Sequence, residues 1–141
     1  MISTLKFGIR NIVVNFIKMH PGFCGTLFCA NQGNVPMDQI PYRVTFIIKR
    51  FIDELEKNNI PIKEAILFGS YAKGNYHDWS DIDLALVSDA FEGERFRDRN
   101  KIRRIKLEIS CDLEPLPYRP QDFTTDDPFV QKIIETGMRV V

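Results

Sequence analysis

The segment that most constrains this chain lies between two short apolar runs. Residues 65–68 and 84–87 are apolar, and the polar stretch between them starts with a small-residue turn and ends with Asp81 and Asp83. Short apolar runs bounded by turn residues are typical of buried strands. The pattern therefore predicts two strands, with a turn leaving the first strand and a pair of carboxylates opening the second.

The residue types at these two positions point to phosphate and metal chemistry. Gly69 and Ser70 at a helix start can offer backbone N–H groups and a hydroxyl to phosphate oxygens. Asp81 and Asp83 are two apart on a predicted strand, so both side chains should leave the same face. Neighbouring carboxylates repel unless a cation lies between them or one is protonated. Together these features predict phosphoryl or nucleotidyl transfer assisted by a divalent metal ion.

Size and charge exclude several classes of protein. The 141 residues fit one domain, and 19 basic residues balance 19 acidic ones. A net charge of zero gives no general attraction to nucleic acid or to an anionic membrane, and we expect neither as a partner. No apolar run is long enough for a transmembrane helix. The three cysteines cannot all pair in disulfides, which favours a reducing, cytoplasmic setting.

The chain divides at about Met37 in character. Residues 1–36 are apolar but show no clear period, and we interpret them as an atypical extension. Well-patterned sequence begins at Asp38, which predicts one domain over residues 37–141. We hypothesise that translation begins at Met37, which an intact-mass measurement of the protein from its native cell would test.

Hydrophobic periodicity predicts a small α/β domain with a mixed sheet. Asp38 and Pro41 predict a helix start, and Asp127 with Pro128 predicts another. The predicted elements alternate along the chain: a helix over residues 38–57, strands over 62–68 and 81–87, a helix over 94–106, a strand within 107–116, a helix from 128 with Phe129, Ile133 and Ile134 inward, and a short strand over 138–141.

Two motifs carry a family resemblance, namely Gly69-Ser70-x-Ala72-x-Gly74 and Ser80-Asp81-Ile82-Asp83-Leu84. They resemble the signature of the DNA polymerase β-like nucleotidyltransferase superfamily. The chain looks most like the minimal nucleotidyltransferases, which are stand-alone prokaryotic domains of about this length. The resemblance covers residues 38–141 in element order and implies the polymerase β-like fold, a small mixed sheet packed with helices.

The resemblance implies roles for individual residues. Gly69 and Ser70 would bind the β- and γ-phosphates of a nucleoside triphosphate, with Lys73 as a further candidate phosphate contact. Asp81 and Asp83 would hold two Mg²⁺ ions. The implied reaction transfers a nucleoside monophosphate, AMP from ATP being the preferred case, to a hydroxyl acceptor.

The family needs a third carboxylate on the adjacent strand, and two candidates share one strand face by parity, Asp112 and Glu114. The segment Leu113-Glu114-Pro115-Leu116-Pro117 is similar to an I-E-P-h-P segment, where h is apolar, in a subset of the family. That similarity favours Glu114 as the third metal ligand and catalytic residue, with Asp112 second.

The acceptor and partner follow only from the resemblance. Minimal nucleotidyltransferases often pair with HEPN-domain toxins, so a HEPN-type protein partner is expected, with a homo-oligomer as the other arrangement that would complete an acceptor pocket. The alternative function is an antitoxin-type binding module that neutralises such a toxin with or without catalysis.

Two further features favour a structural interpretation. Residues 95–106 carry a basic run that could contact RNA or a phosphorylated partner, but it reads better as the solvated face of a helix whose Phe96, Ile102 and Ile105 pack on the sheet. Trp79 could stack on a base, but packing within its loop is the preferred interpretation.

Overall fold

The computed structural model describes residues 39–141, so the predicted extension over residues 1–36 and the helix cap at Asp38 lie outside the described residues. The helices and strands follow one another in this order: α1 Tyr42–Lys57, β1 Glu64–Phe68, α2 Gly69–Lys73, β2 Ile82–Val87, α3 Arg95–Ile109, β3 Leu113–Tyr118, α4 Pro128–Thr136 and β4 Met138–Arg139. A short 3₁₀ turn, Pro120–Asp122, follows β3.

The strands form one mixed sheet in the order β3-β2-β1-β4. β1 pairs antiparallel with β2 and with β4, and β2 pairs parallel with β3. α1 and α3 pack on one face through the larger apolar cluster, which includes Leu67 and Leu84. α4 packs on the other face, where Val130 and Ile133 meet Ala85. The predicted mixed sheet packed with helices is therefore confirmed.

α1 begins later than its sequence predicted, whereas α4 begins where its sequence predicted. Pro41 is the N-cap of α1 rather than part of its first turn, and no side chain caps this end. In α4 the Asp127 carboxylate accepts a hydrogen bond from the Phe129 N–H at 2.8 Å, as the Asp-Pro start predicts. Phe129 and Ile134 are exposed, contrary to prediction, because the buried stripe of this short helix consists of Val130 and Ile133.

The third strand lies later than the sequence pattern predicted. α3 continues to Ile109, beyond its predicted end at 106, and β3 includes Pro115 and Pro117 and ends at Tyr118, beyond the predicted region of 107–116. The bonds from Ile82 N to Asp112 O and from Ser88 N to Tyr118 O set the parallel register. In that register the backbone polar groups of residues 115 and 117 point away from β2, toward the free edge of the sheet. A proline, which has no N–H group, therefore costs no hydrogen bond to β2 at either position.

α3 buries an aspartate where an aromatic residue was expected. Asp98 is 1% exposed, whereas Phe96 is 72% exposed. The Asp98 carboxylate accepts hydrogen bonds from the N–H groups of Glu92 and Gly93, both at 2.8 Å, and so holds the loop that leads into the helix. Ile102 lies one turn later on the same buried side, so the predicted inward face is right from there onward and wrong at Phe96.

Among residues 39–141, no helix has both the length and the apolar character needed to cross a membrane.

Candidate active site

The junction of β1 and α2 forms the base of the site. Gly69 opens α2 with a φ of 73°, a left-handed conformation that favours glycine. A Cβ atom at this position would lie 3.0 Å from Cγ and 3.3 Å from Cβ of Asp83, and closer still to Asp83 Oδ2. The missing side chain of Gly69 therefore makes room for the Asp83 carboxyl group, a role in addition to the phosphate contact that the motif predicts.

Strand register brings two of the predicted carboxylates together. Asp83 lies opposite Phe68 on β1 and opposite Glu114 on β3. Directly paired residues point to the same face of a sheet, so the three side chains form one row across three strands. The row lies on the α4 face, where Phe68 also contacts Phe129 edge to face at a ring separation of 6.0 Å.

The pKa of Asp83 depends on its burial and on three neighbouring charged groups. Burial raises the pKa of the Asp83 carboxyl, the charges of Asp81 and Glu114 raise it further, and Lys73 opposes them. Asp81 is exposed and immediately precedes β2, so the prediction that it lies within the strand is wrong. Asp83 is thus the partly buried carboxyl group on which the charges of Asp81, Glu114 and Lys73 act.

The two candidates for the third carboxylate have different surroundings. Glu114 Oε1 accepts a hydrogen bond from Lys106 Nζ at 2.5 Å. Asp112 lies in the turn before β3, so the prediction that it shares a strand face with Glu114 is wrong. Asp112 forms an ion pair with Arg43. That pair affects Tyr71, whose pKa is raised mainly by burial, with Arg43 opposing and Asp112 adding to the shift. Glu114, not Asp112, is therefore the carboxylate whose charge acts on Asp83.

Lys106 is the residue near the site that sequence reasoning did not single out. Its side chain comes from α3 and is mostly buried against Glu114. In sequence it is one of several cations in a basic helix, and no local signal distinguishes it from its neighbours. Only the packing of α3 beside β3 reveals the contact.

The donor chemistry fits a divalent metal ion in part. Asp81 and Asp83 supply carboxylate oxygens, the ligands that Mg²⁺ prefers. Burial raises the pKa of Asp83 most, and the charges of Asp81 and Glu114, which a cation would offset, raise it further. Within residues 39–141, however, no three acidic, His or Cys side chains are arranged to hold a metal ion. Lys106 Nζ is paired with the Glu114 carboxylate, so Glu114 would have to share or exchange this partner to join a metal site.

The remaining predicted site residues lie around the turn. Ser70 is half-buried and follows Gly69 in α2, and its carbonyl accepts a hydrogen bond from the Asn75 N–H at 3.2 Å. Lys73 is exposed at the end of α2. Trp79 is 88% exposed, so the prediction that it packs within its loop is wrong.

Comparison with known proteins gives consistent matches. The sequence model of the family described as "Nucleotidyltransferase domain" matches residues 48–139. Putative protein adenylyltransferase MJ0604 of Methanocaldococcus jannaschii is 51% identical over 43 residues, which are 30% of this chain and 43% of that protein. Putative protein adenylyltransferase MJ1305 of the same organism is 32% identical over 83 residues, 54% of this chain and 55% of that protein. The chain thus spans about half the length of the curated relatives it matches.

A solved structure supports the fold. The crystal structure of a putative nucleotidyltransferase from Sulfolobus solfataricus is similar with a TM-score of 0.53, at 21% sequence identity, over 69% of this chain and 78% of that chain.

Proposed function

The chain belongs to the nucleotidyltransferase domain family, and we propose that it transfers AMP from ATP to a hydroxyl group on a partner protein. One observation carries the proposal: strand register aligns Glu114 with Asp83, and Asp83 packs against Gly69, the glycine that opens α2. Both similar proteins of Methanocaldococcus jannaschii are named putative protein adenylyltransferases, and these names support ATP as the donor and a protein as the acceptor.

Each residue of the site has a proposed task. Backbone N–H groups at Gly69 and Ser70, with the Ser70 hydroxyl and Lys73, bind the triphosphate. Asp81 and Asp83 would hold two Mg²⁺ ions, with Glu114 as the third ligand. When bound, these ions supply charge neutralisation at the attacking and leaving oxygens.

The bond changes assign a further task to the carboxylates. The acceptor hydroxyl oxygen bonds to the α-phosphorus of ATP, the bond from that phosphorus to the bridging oxygen of pyrophosphate breaks, and the hydroxyl proton passes to a base. Glu114 is the proposed base because it lies on the edge strand β3, where an acceptor can approach. The hydrogen bond from Lys106 Nζ to Glu114 Oε1 positions the Glu114 carboxylate.

Ligand-dependent stability tests the proposal. Mg²⁺ and ATP together should raise the melting temperature more than either alone, because a ligand that binds only the folded state stabilises it. Asp83→Asn should remove the combined effect. An unchanged melting temperature of the wild-type protein with millimolar ligands would contradict the proposal. Incubation with labelled ATP, Mg²⁺ and host lysate would then identify the acceptor as the species that becomes labelled.

The ion pair between Lys106 and Glu114 favours one alternative, an antitoxin-type module that binds a HEPN-domain toxin without catalysis. If this pair is permanent, the third carboxylate never reaches a metal ion. A protein that binds its partner tightly, shows no Mg²⁺-dependent ATP binding and labels nothing would establish this alternative. The free, exposed Cys111 is consistent with a reducing cytoplasm as the place of action for either function.

A further inference from the structure

A groove runs from the candidate active site along the free edge of the sheet, between α3 and β3. Its nearer part is a cavity of about 190 Å³ that includes Glu114 and Lys106. Its farther part is a cavity of about 300 Å³ that includes Phe129 and Tyr118. Arg99 lines both cavities, so they adjoin, and we call them together the α3–β3 groove.

One wall of the α3–β3 groove is a row of arginines that have no acidic partner among residues 39–141. Arg95, Arg99 and Arg103 are spaced four residues apart and therefore share one face of α3. All three are exposed and line the groove, yet none of the ion pairs within the described part of the chain involves them. Arg97 and Arg104, on the same helix but outside the groove, are paired with glutamates.

The opposite wall is apolar and cannot extend the sheet. Leu116, Pro117 and Phe129 face the farther cavity. Because Pro115 and Pro117 present no N–H groups at the free edge, a strand cannot add there by a regular ladder. The α3–β3 groove therefore offers side chains rather than backbone for binding, with cations on one wall and apolar surface on the other.

We propose that the α3–β3 groove binds an acidic segment of the acceptor protein and so delivers its hydroxyl group to Glu114. The inference rests on the proposed function and names its substrate class: polypeptides whose acceptor residue is flanked by Asp or Glu and by apolar side chains. Unpaired arginines attract carboxylates, and the apolar wall accommodates the neighbouring side chains.

Charge at the end of the groove favours a polypeptide over a nucleic acid. Glu114 lines the groove there, and Asp83 lies directly opposite it on β2, so two carboxylates meet at this end. A nucleic-acid strand carries a phosphate at every residue and would bring negative charge against these carboxylates, whereas an acidic peptide can present a neutral hydroxyl with its carboxylates set back along the arginine row. The net charge of zero also gives no general affinity for polyanions.

Matched variants of one helix test the inference. The double variant Arg99→Gln/Arg103→Gln removes two groove arginines, and Arg97→Gln/Arg104→Gln removes the same charge from α3 outside the groove. The probes are a fluorescent peptide in which glutamates flank a tyrosine, the same peptide with lysines in place of the glutamates, and an oligouridylate. Fluorescence anisotropy without ATP measures binding, and melting temperatures confirm that each variant is folded.

The expected result is that the wild-type protein binds the glutamate peptide and not the lysine peptide. Loss of the two groove arginines should weaken that binding about tenfold, and loss of the two outer arginines by no more than about twofold. Equal weakening by both double variants, no binding of the glutamate peptide, or tighter binding of oligouridylate would each overturn the inference. Peptide binding uses neither ATP nor Mg²⁺, so a failed ligand-induced melting shift contradicts the proposed transfer activity separately.

Discussion

Replacing Gly69 by alanine should disturb the candidate site at its base. The new Cβ atom would occupy space that the Asp83 carboxyl group now fills, within 3.0 Å of Cγ. The φ of 73° adds a second penalty, because residues with a Cβ atom rarely adopt it. One methyl group therefore strains the backbone and displaces a proposed metal ligand.

The magnitude follows from these two terms. A left-handed conformation costs alanine about 1 kcal/mol relative to glycine. Moving a half-buried carboxyl group by about 1 Å adds about 1 kcal/mol, the low end for overpacking, because Asp83 can rotate about its side-chain bonds. Gly69→Ala should therefore lower the free energy of unfolding by about 2 kcal/mol. Transfer activity should fall about a hundredfold, since a misplacement of about 1 Å is enough for that loss.

Urea denaturation of a small set of variants separates the two terms. Gly74 has a φ of 74° and is exposed at the end of α2, so Gly74→Ala should show the backbone cost alone. In an Asp83→Ala background, Gly69→Ala should also cost only about 1 kcal/mol, because the displaced carboxyl group is gone. If Gly69→Ala costs the same in both backgrounds, to within about 0.3 kcal/mol, the packing of Asp83 on Gly69 is not what requires glycine.

Four further predictions concern individual carboxylates. Asp98→Ala should lower the free energy of unfolding by about 3 kcal/mol in urea, because two backbone N–H groups lose a charged acceptor; a loss below about 1 kcal/mol would contradict this. Glu114→Gln should reduce kcat far more than Asp112→Asn, and steady-state kinetics showing the reverse order would assign the third carboxylate to Asp112. Asp81→Asn and Asp83→Asn should each abolish labelled transfer. Asp83→Asn should also stabilise the metal-free protein at neutral pH, because burial and the nearby carboxylates raise the pKa of Asp83 on folding. This gain in stability should disappear as the pH falls through the raised pKa. If melting curves recorded over a range of pH show no gain at neutral pH, the charged Asp83 carboxylate does not destabilise the fold.

Local pattern was enough for the elements whose signals are local. The apolar runs flanking the Gly-Ser turn predicted β1 and β2, and Asp127 with Pro128 predicted the start of α4. These features depend on side-chain period and capping, which act over a few residues. The pairing of Gly69-Ser70 with Asp81 and Asp83 also pointed to nucleotidyl transfer and to the family that the comparisons show.

Tertiary structure decided what depends on distant residues. α3 ends at Ile109 rather than at 106, and β3 extends to Tyr118, beyond the predicted region of 107–116. A strand that contains prolines is stable at a sheet edge, and which strand lies at an edge is set by topology. Asp98 is buried because two N–H groups of a preceding loop need an acceptor, a demand that helical periodicity does not reveal. The contact of Lys106 with Glu114 exists only because α3 folds back beside β3. The sequence by itself determined which phosphate-binding and carboxylate residue types the chain has and how they are spaced. The packing of the sheet and helices determined which charged groups meet, because electrostatic interactions depend on distance in space and not on distance along the chain.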